Sequence, residues 1–80
     1  MDKENIETRI KVFLEKETNK KISNNSTNLI NVGILDSFTI IKLITFIENE
    51  LNLIVDLDKM DEDSFSTLEN LANNLIKWKG

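Results

Sequence analysis

The sequence predicts an all-α domain: a small bundle of three main helices and one short helix, with a long loop between the first two. Three observations predict it. Apolar residues recur at helical spacing in three separated stretches. Proline is absent from all 80 residues. Only one short segment alternates with a period of two, and one such segment cannot form a sheet by itself.

The first helix is expected from about Lys3 to Glu17, where Ile6, Ile10, Phe13 and Leu14 form one apolar stripe and charged residues fill the other side. Residues 18 to 36, "TNKKISNNSTNLINVGILD", carry turn formers and only scattered apolar residues. A loop of that length in so small a domain is functional or pinned down. Ile22, Leu29, Ile30 and Val32 are the candidate pins, and Gly33 can take a positive φ at the last turn.

The second helix is expected to start at Asp36 or Ser37 and to run to about Leu51. Asp36 is a good N-cap, because its carboxylate can accept free N–H groups of the first turn. Leu35 before it and Ile40 after it fit a hydrophobic staple. Leu51, Leu53, Val55 and Leu57 then alternate along an extended link. A helix of one or two turns is expected between Asp58 and Phe65. "STLE", Ser66 to Glu69, reads as a capping box that opens the last helix. Leu68, Leu71, Ala72, Leu75 and Trp78 form its buried stripe, and Lys77 and Lys79 suit the negative pole of its dipole.

The inventory excludes much chemistry. With no cysteine and no histidine, the chain has no disulfide, no thiolate or imidazole metal site and no histidine acid–base pair. No nucleophile lies in an evident pair with a base, so an enzyme is not expected. The net charge of −4 opposes general nucleic-acid binding and favours basic protein surfaces as partners. No apolar run is long enough to span a membrane, and the charged start, "MDKENIETRI", does not resemble a signal peptide. A cytoplasmic, monomeric single domain over residues 1–80 is the expectation. "DLDKMDED" does not make a calcium loop: counted from Asp56, the fifth, sixth and twelfth positions hold Met60, Asp61 and Thr67.

The second helix carries more apolar residues than burial needs. Ile40, Leu43, Ile44, Ile47 and Leu51 fall in one sector, which suffices to bury it. Phe38, Ile41 and Thr45 project well away from that sector. They are either part of a widely buried helix or an exposed patch that docks partners. Phe46, off the other edge, points towards a neighbouring helix. Ser37 stands beside Phe38. A serine at a helix start is most often a cap, but Asp36 already fills that role and leaves the Ser37 hydroxyl free. The positive end of the helix dipole would stabilise a phosphate ester there.

"GILDSF", Gly33 to Phe38, preceded by a long loop and followed by a helix, resembles the acyl carrier protein family. The resemblance extends over nearly the whole chain, through helix order, length and acidity. It implies that Ser37 carries 4′-phosphopantetheine and that Asp36 is needed by the phosphopantetheinyl transferase that loads it. It implies further that Phe38, Ile41, Thr45 and Glu48 face partner enzymes. The reactive thiol would belong to the cofactor, which explains a chain without catalytic side chains. Thr39, Lys42 and Asn49 stand where carriers of fatty-acid synthesis are usually acidic. "GILDSF" and "DEDSFSTLENLA" look more like specialised stand-alone carriers served by an AMP-forming ligase, such as D-alanyl carriers and carriers of modified amino or hydroxy acids. A fatty-acid-synthesis carrier is the alternative within the family. A helical interaction module with no prosthetic group is the alternative outside it.

Overall fold

A computed structural model describes residues 2–78. Three α-helices form the bundle: α1 (Lys3–Thr18), α2 (Ser37–Glu50) and α3 (Leu68–Trp78). α1 packs against both α2 and α3. Among the described residues no strand occurs, and no helix is long and apolar enough to cross a membrane. The all-α class and the long first loop are as the sequence predicts.

α1 begins where the Asp2 carboxylate accepts the Asn5 N–H at 2.8 Å. It ends one residue later than expected, at Thr18, and is capped by Asn19 in the left-handed region (φ 58°), whose N–H donates to the Glu15 carbonyl. Ile6, Ile10 and Leu14 are fully buried, and Phe13 lies against the core edge, stacked on Phe46 of α2 with ring centroids 4.3 Å apart. The predicted all-charged outer side is imperfect. Glu7 is buried.

The long loop is pinned by backbone bonds to the start of α3. The Leu29 N–H donates to the Ser66 carbonyl at 2.7 Å, and the Glu69 N–H to the Asn25 carbonyl at 3.1 Å. Ile22 and Leu29 are buried and Ile30 half-buried, as expected, but Val32 is exposed. Ile34 takes the place assigned to it. The Ile34 and Leu35 N–H groups both donate to the Leu29 carbonyl, which folds the chain back and drives Ile34 and Leu35 inward. Gly33, at φ 78°, makes that reversal possible.

On α2 the predicted core sector holds at its centre. Leu43, Ile47 and Leu51 are buried, whereas Ile40 and Ile44 are half-buried at its edges. Asn52, at φ 54°, turns the chain out of the helix. Leu53 and Val55 are buried along the link, but Leu57 is exposed. The alternation stops there because Leu57 opens a 3-10 turn, Leu57–Lys59.

The expected short helix is two separate 3-10 turns, Leu57–Lys59 and Asp63–Phe65. Aspartates compete for the local amides: Asp56 accepts the Asp58 N–H, and Asp61 accepts both the N–H and the hydroxyl of Ser64. The capping box shifts by one residue as well. Thr67 caps α3, accepting the Asn70 N–H at 3.0 Å, while the Ser66 hydroxyl donates to the Asp63 carbonyl. Glu69 therefore sits one position too early to close a box, and lies 3.9 Å from Lys3 instead. The α3 stripe is buried at Leu68, Leu71, Ala72 and Leu75 and half-buried at Trp78. Lys77 is in the last turn; Lys79 lies outside the described residues.

Candidate functional site

The start of α2 is built from backbone outward. Asp36 is extended, and its carboxylate accepts the Thr39 N–H at 2.8 Å, while its carbonyl accepts the Ile40 N–H at 2.9 Å. The Thr39 backbone bond, with the Thr39 hydroxyl adding to it, holds the Asp36 carboxyl below its ordinary pKa against a small opposing effect of desolvation. Leu35 on one side of the cap is buried and Ile40 on the other packs against the core, the two residues expected of a staple. The helix start is thereby fixed from both sides.

Ser37 is the first helical residue and is exposed. Among the described residues no hydrogen bond engages its hydroxyl, because the cap is complete without it. The amides of Ser37 and Phe38 stand outside the helical ladder, at the positive end of the α2 dipole. An exposed, unbonded hydroxyl at that pole can be esterified without breaking any internal contact, and an attached anion is stabilised there.

Phe38, Ile41, Thr45 and Glu48 follow at helical spacing and are all exposed, Phe38 at 67% and Ile41 at 65%. Phe38, Ile41 and Thr45 therefore form an exposed patch and are not part of a widely buried helix. The Thr45 hydroxyl turns back to the Ile41 carbonyl at 3.1 Å. Sequence reasoning missed the role of Lys42. Its ammonium lies 4.5 Å from the centre of the Phe38 ring and 3.0 Å from the Glu17 carboxylate. It ties the end of α1 to the start of α2 across 25 positions of sequence, a separation that no local pattern reveals. Thr39 is buried under the same turn, so it adds nothing to the outer face.

Two of the hollows that border this helix bear on the site. One, of about 350 Å³, lies between Ile30, Ile40, Met60 and Phe65, with Asp61 and Glu62 at its edge. The other, of about 340 Å³, runs between α1 and α2 over Phe13, Ile41 and Phe46. Met60, an apolar residue in an acidic run, was the available signal for the first. Phe13 and Phe46 were the signal for the second.

A helical bundle that holds a bare serine hydroxyl at a helix pole, beside an exposed apolar stripe, is suited to carry a group for other proteins to work on. The comparisons agree with that class. The phosphopantetheine attachment site family matches residues 8–75, and the chain belongs to it. The D-alanyl carrier proteins of Bacillus velezensis and Bacillus subtilis are each 36% identical over 47 residues, which is 59% of this chain and 60% of theirs. The chain thus matches less than two thirds of the length of those relatives. Family membership brings a covalently attached 4′-phosphopantetheine group. The geometry fits it: the chain supplies an accessible hydroxyl at a dipole pole.

Proposed function

We propose that Ser37 is the residue that bears 4′-phosphopantetheine through a phosphodiester, and that the chain presents an acyl or aminoacyl group to partner enzymes without catalysing any step itself. The observation that carries this reading is the division of labour at the α2 start, where Asp36 makes the cap and Ser37 Oγ is left exposed and unbonded. When bound, the cofactor supplies the thiol on which an acyl group is held as a thioester. The chain's own residues do the rest. Asp36 fixes the turn that presents Ser37 and offers a carboxylate to the transferase; Phe38, Ile41, Thr45 and Glu48 give partner enzymes an apolar stripe with an acidic end.

Within the family we favour a specialised carrier that works with an AMP-forming ligase, in a single domain spanning residues 1–80, monomeric and cytoplasmic. The similarity to D-alanyl carriers supports this. So does the outer face of α2, where Lys42 and Asn49 replace expected acids and Thr39 is buried. The test is intact mass after incubation with coenzyme A and a phosphopantetheinyl transferase. One added arm, absent from Ser37→Ala, is the expected result; an unshifted mass with several transferases would count against the carrier reading. Loading assays with an AMP-forming ligase and candidate amino and hydroxy acids then test the subtype.

A further inference from the structure

We propose that the groove between α1 and α2 is part of the surface that the loading transferase covers, and that it receives an apolar side chain flanked by basic ones. The proposal rests on Ser37 being the loaded residue. It adds α1 to a recognition surface otherwise confined to α2.

The groove is about 340 Å³ and has the half-buried Phe13 and Phe46 rings as its floor, Ile41 and Thr45 along one wall, and Asn49 and Glu50 at its far end. Ile41 belongs both to this groove and to the exposed stripe that starts at Phe38, so the two apolar surfaces are continuous. The Lys42–Glu17 ion pair stands at the lip nearest Ser37 and neutralises itself. The other end is different. α2 closes with Glu48 and Glu50 and has no basic residue in its last turn. Acids at that end oppose the helix dipole, and among the described residues neither is in an ion pair. The chain thus maintains two unfavourable charges at that helix end, one of which, Glu50, lines the open apolar hollow, and a cationic partner there offsets them.

Size selects the transferase among possible occupants. Partner enzymes in general can meet the α2 stripe, but only one acting on Ser37 Oγ must bring its active site to the helix start. A partner's share of a standard interface, roughly 800 Å², is about 32 Å across. From Ser37 to Asn49 α2 rises only about 18 Å. A footprint that includes Ser37 and follows α2 therefore reaches the groove.

The experiment measures loading kinetics with a phosphopantetheinyl transferase and saturating coenzyme A, by intact mass, on the full chain and three variants. Asn49→Trp fills the groove and Glu50→Lys reverses its rim, while Asn73→Lys, exposed on α3, is the control. We expect KM for the chain to rise about tenfold in the first two, the scale of a lost anchor contact, with kcat retained and the control unchanged. Glu50→Lys should also raise the thermal midpoint slightly, since a cation suits that helix end, which separates weakened docking from damage to the fold. In titrations with the transferase alone, the ring resonances of Phe13 and Phe46 should shift. Wild-type KM in both variants, or unmoved rings, overturns the groove proposal and leaves Ser37 loading intact. A wild-type chain that no transferase loads overturns the Ser37 reading and this proposal with it.

Discussion

The tripeptide Asp-Ser-Phe occurs twice in this chain, at residues 36–38 and again at 63–65, with opposite outcomes. In the first copy Ser37 is exposed with an unbonded hydroxyl and Phe38 is 67% exposed. In the second, Ser64 is buried, bonded to the Asp61 carboxylate through both its N–H and its hydroxyl, and Phe65 is 4% exposed. The difference lies in what precedes each copy. Leu35 anchors the first to the core and Asp36 closes its own cap, so Ser37 and Phe38 face outward. The second lies in a 3-10 turn, where Asp61 captures the serine and the phenylalanine fills the gap beside α3. The same serine and phenylalanine lie open to solvent in one place and packed in the other.

The comparison breaks most sharply on loading. Ser37→Ala should abolish attachment of the arm altogether, while Ser64→Ala should be loaded as the wild type is, both read by intact mass. A loaded Ser37→Ala chain would move the attachment site and undo the contrast. The next largest effect is on stability and falls on the phenylalanines. Phe65→Ala should lower the unfolding free energy by about 3–5 kcal/mol, the range for deleting a buried aromatic side chain. Phe38→Ala removes a mostly exposed ring and one contact with Lys42, and should lower it by less than about 1 kcal/mol. Urea titration distinguishes these easily, and equal losses would mean that Phe38 is not free for partners. The serines repeat the pattern on a smaller scale. Ser64→Ala removes hydrogen bonds in a buried turn and should lower stability by about 1 kcal/mol, whereas Ser37→Ala should leave the urea midpoint where it is.

The sequence made the first copy legible because its signals are local. A cap residue, a flanking staple and a period of 3.6 all lie within one or two turns, and Asp36, Leu43 and Ile47 behave as those rules require. The parts that were misread depend on distant groups. Val32 and Ile34 are equivalent by composition; only the Leu29 carbonyl, accepting two amides, decides which turns inward. Ser66 and Thr67 are both good caps side by side, and the Ser66 hydroxyl is drawn off by the Asp63 carbonyl. Asp56 and Asp61 likewise split a short helix into turns by capturing local donors. Lys42 reads as a departure from an acidic pattern, and its pairing with Glu17 emerges only once α1 and α2 are side by side.

The smallest expected effect concerns the acid of the first copy. In the folded chain the Asp36 carboxyl is held below its ordinary value of 3.8, chiefly because the Thr39 N–H bonds to its charged form. A group with a depressed folded pKa stabilises the fold above its unfolded pKa and loses that contribution as pH falls through the folded value. Wild type should therefore exceed Asp36→Asn in stability by a constant amount near neutral pH. That margin should shrink as the pH falls below about 4, the ordinary aspartate range. Asn keeps an oxygen for the Thr39 N–H, so what disappears is the charge and not the cap. In the second copy Asp63 offers its carbonyl, not its carboxylate, to Ser66 and Asn70. A margin of wild type over Asp36→Asn that stays constant as the pH falls through that range would mean that the cap at the serine is not ionic.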